Sequence, residues 1–241
     1  MDHRIENEIV HGRFLAENGA GEIWNWESPA GKVRWARRVK MLTDFIQPGC
    51  SLLELGCGTG YFTKEIAVTK ANIVAIDISP ELLAIAQTDV TAENVTFRAE
   101  NAYDMSFEDN RFDYVTGSSV LHHLDIKKAL SEIYRVLKKD GVIAFTEPNM
   151  MNPQIALQKN IPWLKRKSGD SPDETAFFRW RLSKLLKQQG FSKIEIRPFD
   201  FLHPAVPPKL IKPISSIGQF CERIPVIKEI AGSLFIKARK E

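Results

Sequence analysis

The sequence predicts an α/β fold: a doubly wound, seven-stranded sheet, mostly parallel with an antiparallel last strand, and with helices on both faces. Three observations predict it. Short apolar runs alternate with helix-like segments along most of the chain. The first of these runs ends in a cluster of glycines that opens a helix. Two strands then follow one another late in the chain, which requires an antiparallel edge. At 241 residues, 44% hydrophobic and 26% charged, the chain can bury a substantial core, which excludes a disordered tail protein. Its 14 Gly and 13 Pro are near ordinary usage and no repeat recurs, so collagen-like, low-complexity and solenoid folds are excluded as well.

Each element has its own signal. Ser28-Pro29 reads as an N-cap followed by proline in the first turn, opening a helix to about Ile46 that stops before Pro48-Gly49. The run Leu52, Leu53, Glu54, Leu55 is a buried strand, and a helix follows the glycines from about Tyr61 to Val68. Asn72 to Ile76 is the second strand, and Ser79-Pro80-Glu81 starts a helix to about Val90. Val95 to Ala99 and Phe112 to Gly117 are the third and fourth strands. A helix from Ile126 to Leu137 turns at Lys139-Asp140-Gly141 into the strand Val142 to Thr146, giving a Rossmann-like core. Pro148, Pro153, Pro162 and Pro172 then break the rhythm, and this stretch reads as a lid. Ser171, Pro172 and Glu174 form a capping-box pattern that predicts a helix start there, with Gly190 as its stop. Strands Lys193 to Arg197 and Ser233 to Ala238 close the fold, around apolar residues at helical spacing from Leu210 to Ile224.

The charge pattern is local. The net charge is +3, and residues 201–241 carry seven Lys/Arg against three Asp/Glu, so the remainder sums to −1. That argues against a nucleic-acid partner, which a broad basic surface would grip. The amino-terminal residues lack the apolar run of a secretory signal, and no uninterrupted apolar stretch of membrane-spanning length occurs, so the cytoplasm is the default expectation. Cys50, Cys57 and Cys221 contain no C-x-x-C pair and read as reduced thiols.

The chemistry starts at Leu52-Leu53-Glu54-Leu55-Gly56-Cys57-Gly58-Thr59-Gly60. Glycine permits a tight turn and lets a ligand reach the backbone. A dinucleotide loop needs glycine at position 61 or 63, where Tyr61 and Thr63 stand, and no lysine follows Gly60 as a phosphate loop requires. A phosphate-free nucleoside fits better. Glu54 would repel a pyrophosphate but receive a cationic amino group, so an amino-acid-bearing nucleoside is favoured. Asp77, ending the second strand, is placed to accept hydrogen bonds from both ribose hydroxyls.

With these motifs the chain resembles the class I S-adenosylmethionine-dependent methyltransferases. The resemblance covers roughly Cys50 to Asn149 and rests on E-x-G-x-G-x-G, Asp77, Glu100-Asn101-Ala102 and Phe112-Asp113-Tyr114-Val115. It implies S-adenosyl-L-methionine as donor, with S-adenosyl-L-homocysteine as product. It further implies that Glu54, Gly56, Cys57, Gly58 and Gly60 hold the methionine part, Asp77 the ribose, Ile78 an adenine face, Asn101 and Ala102 the adenine edge, and that Ser118 faces the methionine moiety. The family frequently has Asp where this chain has Asn101, whose carbonyl would then meet the adenine amino group. One domain is expected over 1–241: a helical cap over 1–48, the donor core over 49–149, a lid over 150–175, and a carboxyl-terminal part over 176–241 with an amphipathic insert near 204–226.

A hydroxyl acceptor must lose its proton during transfer, and His123, with His122 beside it, stands at the correct strand end to take it. Packing is the competing role for both rings. No metal site is expected, because His122, His123 and Asp125 have no identifiable further ligand. Glu147-Pro148-Asn149 faces the same side and is a candidate acceptor contact, as are Trp24, Trp26, Trp35, Arg34, Arg37 and Arg38 before the sheet and Trp163 and Trp180 after it. The insert carries Lys209, Lys212 and Arg223 around an apolar stripe, which suits a core-covering helix or contact with an anionic inner membrane surface. The expected activity is methylation, on oxygen, of a small-molecule, saccharide or lipid-linked acceptor. An RNA methyltransferase and a non-catalytic donor-binding protein remain as alternatives.

Overall fold

A computed structural model describes residues 3–19 and 25–241. Its seven strands are β1 (Ser51–Leu55), β2 (Asn72–Asp77), β3 (Val95–Ala99), β4 (Phe112–Ser118), β5 (Leu137–Pro148), β6 (Phe191–Phe199) and β7 (Ser233–Lys240). They form one sheet in the order β3-β2-β1-β4-β5-β7-β6. All pairings from β3 to β5 are parallel, and β7 runs antiparallel to both β5 and β6. The strand order therefore turns between β1 and β4, and a crevice opens at the carboxyl ends of those two strands.

Side-chain alternation divides the core between the faces. Leu53, Leu55 and Ile76 join Val115, Leu130, Ile133 and Phe145 on one side. Leu52, Ile73 and Ala75 join Leu42, Phe62 and Ile66 on the other. Glu54 shares the parity of Leu52 and so is carried inward, beneath the helices of the second face.

Helices α1 (His3–Asn18), α2 (Pro29–Thr43), α3 (Tyr61–Ala67), α4 (Pro80–Asp89) and α5 (Ile126–Val136) accompany the first five strands. Ser28, Ser79 and Asp125 cap α2, α4 and α5 with side-chain oxygens, satisfying backbone donors that a helix start leaves unpaired. Helix α1 carries little apolar patterning, and its buried residues are only Gly12 and Leu15. It lies close on α4: a Cβ added at Gly12 would meet the Ser79 Cβ at 2.6 Å.

The structure departs from expectation in three places. The turn expected at Lys139-Asp140-Gly141 is an irregularity inside β5, where pairing shifts between Phe112 and Tyr114 and Asp140 takes φ 62°. The prolines of the lid do not break structure but start it, standing in the first turns of α6 (Pro153–Asn160) and α7 (Pro162–Lys167). The helix expected from Ser171 begins only at Arg179, as α8 (Arg179–Gln188), because the Glu174 carboxylate is drawn into the interior. Between β6 and β7 lies α9 (Ile211–Cys221).

Gly60 illustrates how the glycine turn is built. It has φ 78°, and a Cβ there would meet Val90 at 2.8 Å and Ala86 at 3.2 Å on α4 and its carboxyl-terminal cap. Gly60→Ala is expected to lower unfolding free energy by about 2 kcal/mol through left-handed strain and overpacking. Urea denaturation measures it; an unchanged midpoint would mean that α4 shifts freely.

Candidate active site

A cavity of about 570 Å³ opens at the carboxyl ends of β1 and β4. Its floor is the turn after β1. The Cys57 amide donates to the Ile76 carbonyl at 2.9 Å, and Gly56 and Gly58 take φ 65° and 53°. A Cβ at Gly56 would strike Val120 at 2.3 Å, whereas one at Gly58 meets nothing within 4 Å. Gly56 is thus required by packing, and Gly58 keeps open the space that a ligand would use. Gly60 does not line the cavity; its role is the contact with α4.

Asp77 is positioned by two backbone donors, Gly58 N–H at 2.8 Å and Ser79 N–H at 2.9 Å, one on each carboxylate oxygen. Burial raises its pKa, against the opposing effect of these hydrogen bonds. Each oxygen retains a lone pair for a ligand hydroxyl. Glu54 is 1% exposed, and one of its oxygens has no partner. Burial pushes its carboxyl up to about 8, with the charge of Asp77 adding to the effect. A cationic group entering the cavity would relieve that cost.

Ile78, Ala102 and Ser118 line the same cavity, and the Ser118 hydroxyl lies 3.1 Å from that of Thr146. Cys57 also lines it, with its thiol pKa raised well above ordinary by burial. The Asn101 side-chain carbonyl accepts the Tyr103 N–H at 3.0 Å and keeps a second lone pair, so both ends of the amide are available at the cavity.

The two histidines separate into different roles. His122 is 4% exposed, with Nδ1 2.7 Å from Glu147 Oε2 and Nε2 3.1 Å from Glu174 Oε1. Burial alone would lower its pKa, but the hydrogen bonds and charges of Glu147 and Glu174 prevail and raise it to about 9. The ring is therefore a cation with both N–H groups engaged, and it has no lone pair for an acceptor proton. The expectation of a catalytic His122 is corrected on that ground. His123 lies 4.3 Å away between ring centroids, partly exposed in the cavity. Its Nδ1 is 3.0 Å from Glu8 Oε2, at an angle outside hydrogen-bond geometry. Ser171 donates to the other Glu8 oxygen at 2.6 Å.

Glu147 and Asn149 hold the frame instead of an acceptor. Glu147 is fully buried and accepts the N–H groups of Val120 and Leu121 at 3.0 and 2.8 Å, besides the His122 ring. The Asn149 amide donates to the Glu229 and Ala231 carbonyls at 2.8 Å each. Lys159 completes the buried network, 2.5 Å from Glu174 and 2.8 Å from Asp170. The pKa of Glu174 falls far below the carboxylate range, because His122, His123 and Lys159 overcome the effect of burial. Ligand atoms of His122, His123 and Glu174 lie within 4.8 Å of one another, a spacing suited to a metal ion; the Lys159 ammonium is the cation resident on Glu174.

At the other end of the cavity Trp26, Trp35 and Tyr61 pack against one another with tilted rings, 5.1 and 4.6 Å between successive centroids. Arg34 and Arg38 share Asp200 at 2.8 and 3.4 Å, leaving one positive charge in excess, and burial lowers the Arg38 pKa to about 10. Arg37, Trp163 and Trp180 do not line this cavity, and Trp24 lies outside the described residues. Sequence reading missed Glu8, His11, Lys159 and Asp170. The spacing of Glu8 and His11, on one face of a helix, was the available signal for the first two.

The chain is similar to known proteins. A family profile described as a methyltransferase domain matches residues 53–145. An uncharacterized methyltransferase-like protein of Schizosaccharomyces pombe is 30% identical over 182 residues, covering 73% of this chain and 65% of its own length. The demethylmenaquinone methyltransferase of Staphylococcus saprophyticus is 26% identical over 82% of this chain and 94% of its own. In fold, the chain is similar to the N-methyltransferase NodS of Bradyrhizobium japonicum bound to S-adenosylhomocysteine, with a TM-score of 0.65, 14% identity and coverage of 97% and 98%. The chain carries a methyltransferase domain over residues 53–145 and has the fold of S-adenosylmethionine-dependent methyltransferases.

The His122 network makes a pH prediction. Because the folded-state pKa lies above the ordinary 6.5, its stabilisation is complete below about pH 6.5 and is lost as pH rises through about 9. The loss is on the order of 3 kcal/mol. Comparing urea midpoints of wild type and His122→Gln from pH 6 to 10 should show the difference shrinking across that window; parallel curves would refute a charged His122.

Proposed function

We propose that this enzyme transfers the methyl group of S-adenosylmethionine to a hydroxyl oxygen of a small-molecule, saccharide or lipid-linked acceptor, with His123 as general base and Glu8 as the group that orients it. The observation that carries this reading is the approach of Glu8 Oε2 to within 3.0 Å of His123 Nδ1 at the edge of the cavity. A carboxylate behind one ring nitrogen favours the tautomer whose other nitrogen can accept a proton. Bound S-adenosylmethionine supplies an electrophilic methyl on a sulfonium.

The residues divide the remaining work. The open space at Gly58 admits the methionine part, with Gly56 and Cys57 shaping the turn beneath it. Glu54 takes the ammonium, which suits its unpartnered buried oxygen. Asp77 takes the ribose hydroxyls, Ile78 an adenine face, Asn101 and Ala102 the adenine edge, and Ser118 faces the methionine chain. As the acceptor oxygen bonds to the methyl carbon and the sulfur–carbon bond breaks, the hydroxyl proton passes to His123. S-adenosylhomocysteine and the methylated acceptor leave, and the proton returns to solvent.

A second reading draws on the aromatic wall of Trp26, Trp35 and Tyr61 and on the relative named for demethylmenaquinone. In it the acceptor is a reduced quinone, a hydroquinone: His123 takes a ring hydroxyl proton, the adjacent ring carbon takes the methyl as the sulfur–carbon bond breaks, and that carbon then loses its own proton to solvent as aromaticity returns. Product analysis separates a methyl ether from a carbon–methyl bond. An RNA acceptor would require transfer of labelled methyl to RNA, and a non-catalytic binder would show donor affinity with no transfer to any acceptor class.

Two measurements test the assignments. S-adenosylhomocysteine at 100 times Kd should stabilise wild type by about 2.7 kcal/mol in thermal unfolding. Asp77→Ala and Gly58→Val should lose that shift while still unfolding cooperatively, and a retained shift in Asp77→Ala would sink the ribose assignment. His123→Ala should lower kcat about 10²- to 10⁴-fold with the ligand shift retained. A loss within a few-fold would remove His123 as base while leaving the donor site standing.

A further inference from the structure

The segment from Pro208 to Ile230, which joins β6 to β7, has two apolar sides. The inner one is ordinary: Ile211 packs with Ala30 and Leu202, and Gly218 sits close to Phe201. The outer one repeats Leu210, Pro213, Ile217 and Phe220 at helical spacing, with Ile217 and Phe220 62% and 64% exposed. Beyond α9, Pro225-Val226-Ile227 fold as a γ-turn in which Ile227 N–H donates to the Pro225 carbonyl at 2.9 Å. Val226 has φ 74° and ψ −55°, a conformation that a β-branched residue seldom adopts, and its side chain is 80% exposed. A helix that only covers a core needs one apolar stripe. This segment presents a second, together with a valine held out into solvent.

The charges indicate what covers it. The segment's two carboxylates are tied back to the body of the protein, Glu222 to Arg37 at 2.6 Å and Glu229 to Arg179 at 2.7 Å. Among the described residues, Lys209, Lys212, Arg223 and Lys228 have no ion-pair partner. Arg37, Arg197, Arg223 and Lys228 also line a surface cavity of about 390 Å³ beside α9, in which Glu222 is the only carboxylate among the described residues. An apolar ridge flanked by unpaired cations, with a basic pocket next to it, complements the boundary between anionic headgroups and acyl chains.

We infer that α9 and the turn after it dock on an anionic phospholipid surface, with Ile217, Phe220 and Val226 entering the acyl boundary and the pocket of Arg197, Arg223 and Lys228 receiving a lipid phosphate. The contact is interfacial, since no described helix is long and apolar enough to cross a membrane. The docking segment is fastened to the active site: the Ile230 carbonyl accepts from the Asn152 amide at the start of α6, and both Gly232 and Ile155 of α6 line the catalytic cavity. Docking therefore sets the cavity wall beside the lipid surface.

Sedimentation of the full chain with vesicles tests the inference. Binding is expected to phosphatidylcholine vesicles that contain phosphatidylglycerol, and not to phosphatidylcholine alone. It should weaken as salt rises and persist against inorganic phosphate. Ile217→Glu with Phe220→Glu should reduce binding to the level of neutral vesicles. Arg223→Glu with Lys228→Glu should weaken it by at least ~20-fold, about five-fold per cation removed. Both double variants should keep the wild-type thermal midpoint, because Ile217, Phe220 and Arg223 are exposed and Lys228 is only half-buried with no ion-pair partner among the described residues. Equal binding to neutral and anionic vesicles, full binding by the Ile217/Phe220 variant, or displacement by inorganic phosphate would overturn the inference. So would a dimer in solution that the same Ile217/Phe220 substitutions dissolve, which would assign the ridge to a second copy of the chain.

Discussion

A single buried carboxylate sets the terms for the active site. Glu147 ends β5 with no solvent to hydrate it, and its charge is met by backbone donors of the loop after β4 and by the His122 ring. Those bonds fix the loop that carries both histidines. The charge then passes outward in alternation through His122, Glu174, Lys159 and Asp170, joining the sheet to the segment that follows α7. Buried ion pairs add little net stability, since desolvation offsets their attraction, but breaking one leaves a stranded charge. What such a chain provides is a defined geometry, and here it is the geometry that orients His123 toward the cavity.

The two ends of the cavity are made differently. The donor end consists of a turn and strand ends that lie close together in the chain, and its contacts come largely from backbone. The acceptor end is closed by long-range pairs, such as Glu8 with Ser171 and Arg34 with Asp200. Side chains on separate elements can change one by one without disturbing the sheet, so one fold can serve different acceptors.

Legibility followed the same division. The alternation of strands and helices, the antiparallel edge and the glycine turn are readable because each rests on local rules of pattern and conformation. Gly60 was placed with the ligand contacts because spacing alone does not distinguish a glycine that admits a ligand from one that admits a helix. Glu174 matched a capping box, and the pattern was correct as far as it went, since its carboxylate accepts the Ser171 N–H at 2.9 Å. Its other oxygen goes to His122 and Lys159, which no local pattern reports. The two histidines could not be ranked by sequence alone, because the carboxylates that occupy His122 lie 25 and 52 residues away. The prolines of the lid look like breakers in sequence, yet proline in the first turn of a helix sacrifices no hydrogen bond.

The place of β7 has a consequence for how the chain is made. It follows every other element in sequence, yet it lies inside the sheet, bonded on one side to β5 and on the other to β6. Until residues 233–240 leave the ribosome, both neighbours present unpaired edges, and the Ser233 hydroxyl that Arg38 binds is missing from the cavity wall. The donor turn can form early in synthesis, but the acceptor end closes only when this strand is inserted. Until β7 is inserted, the facing edges of β5 and β6 are open to pairing with other chains.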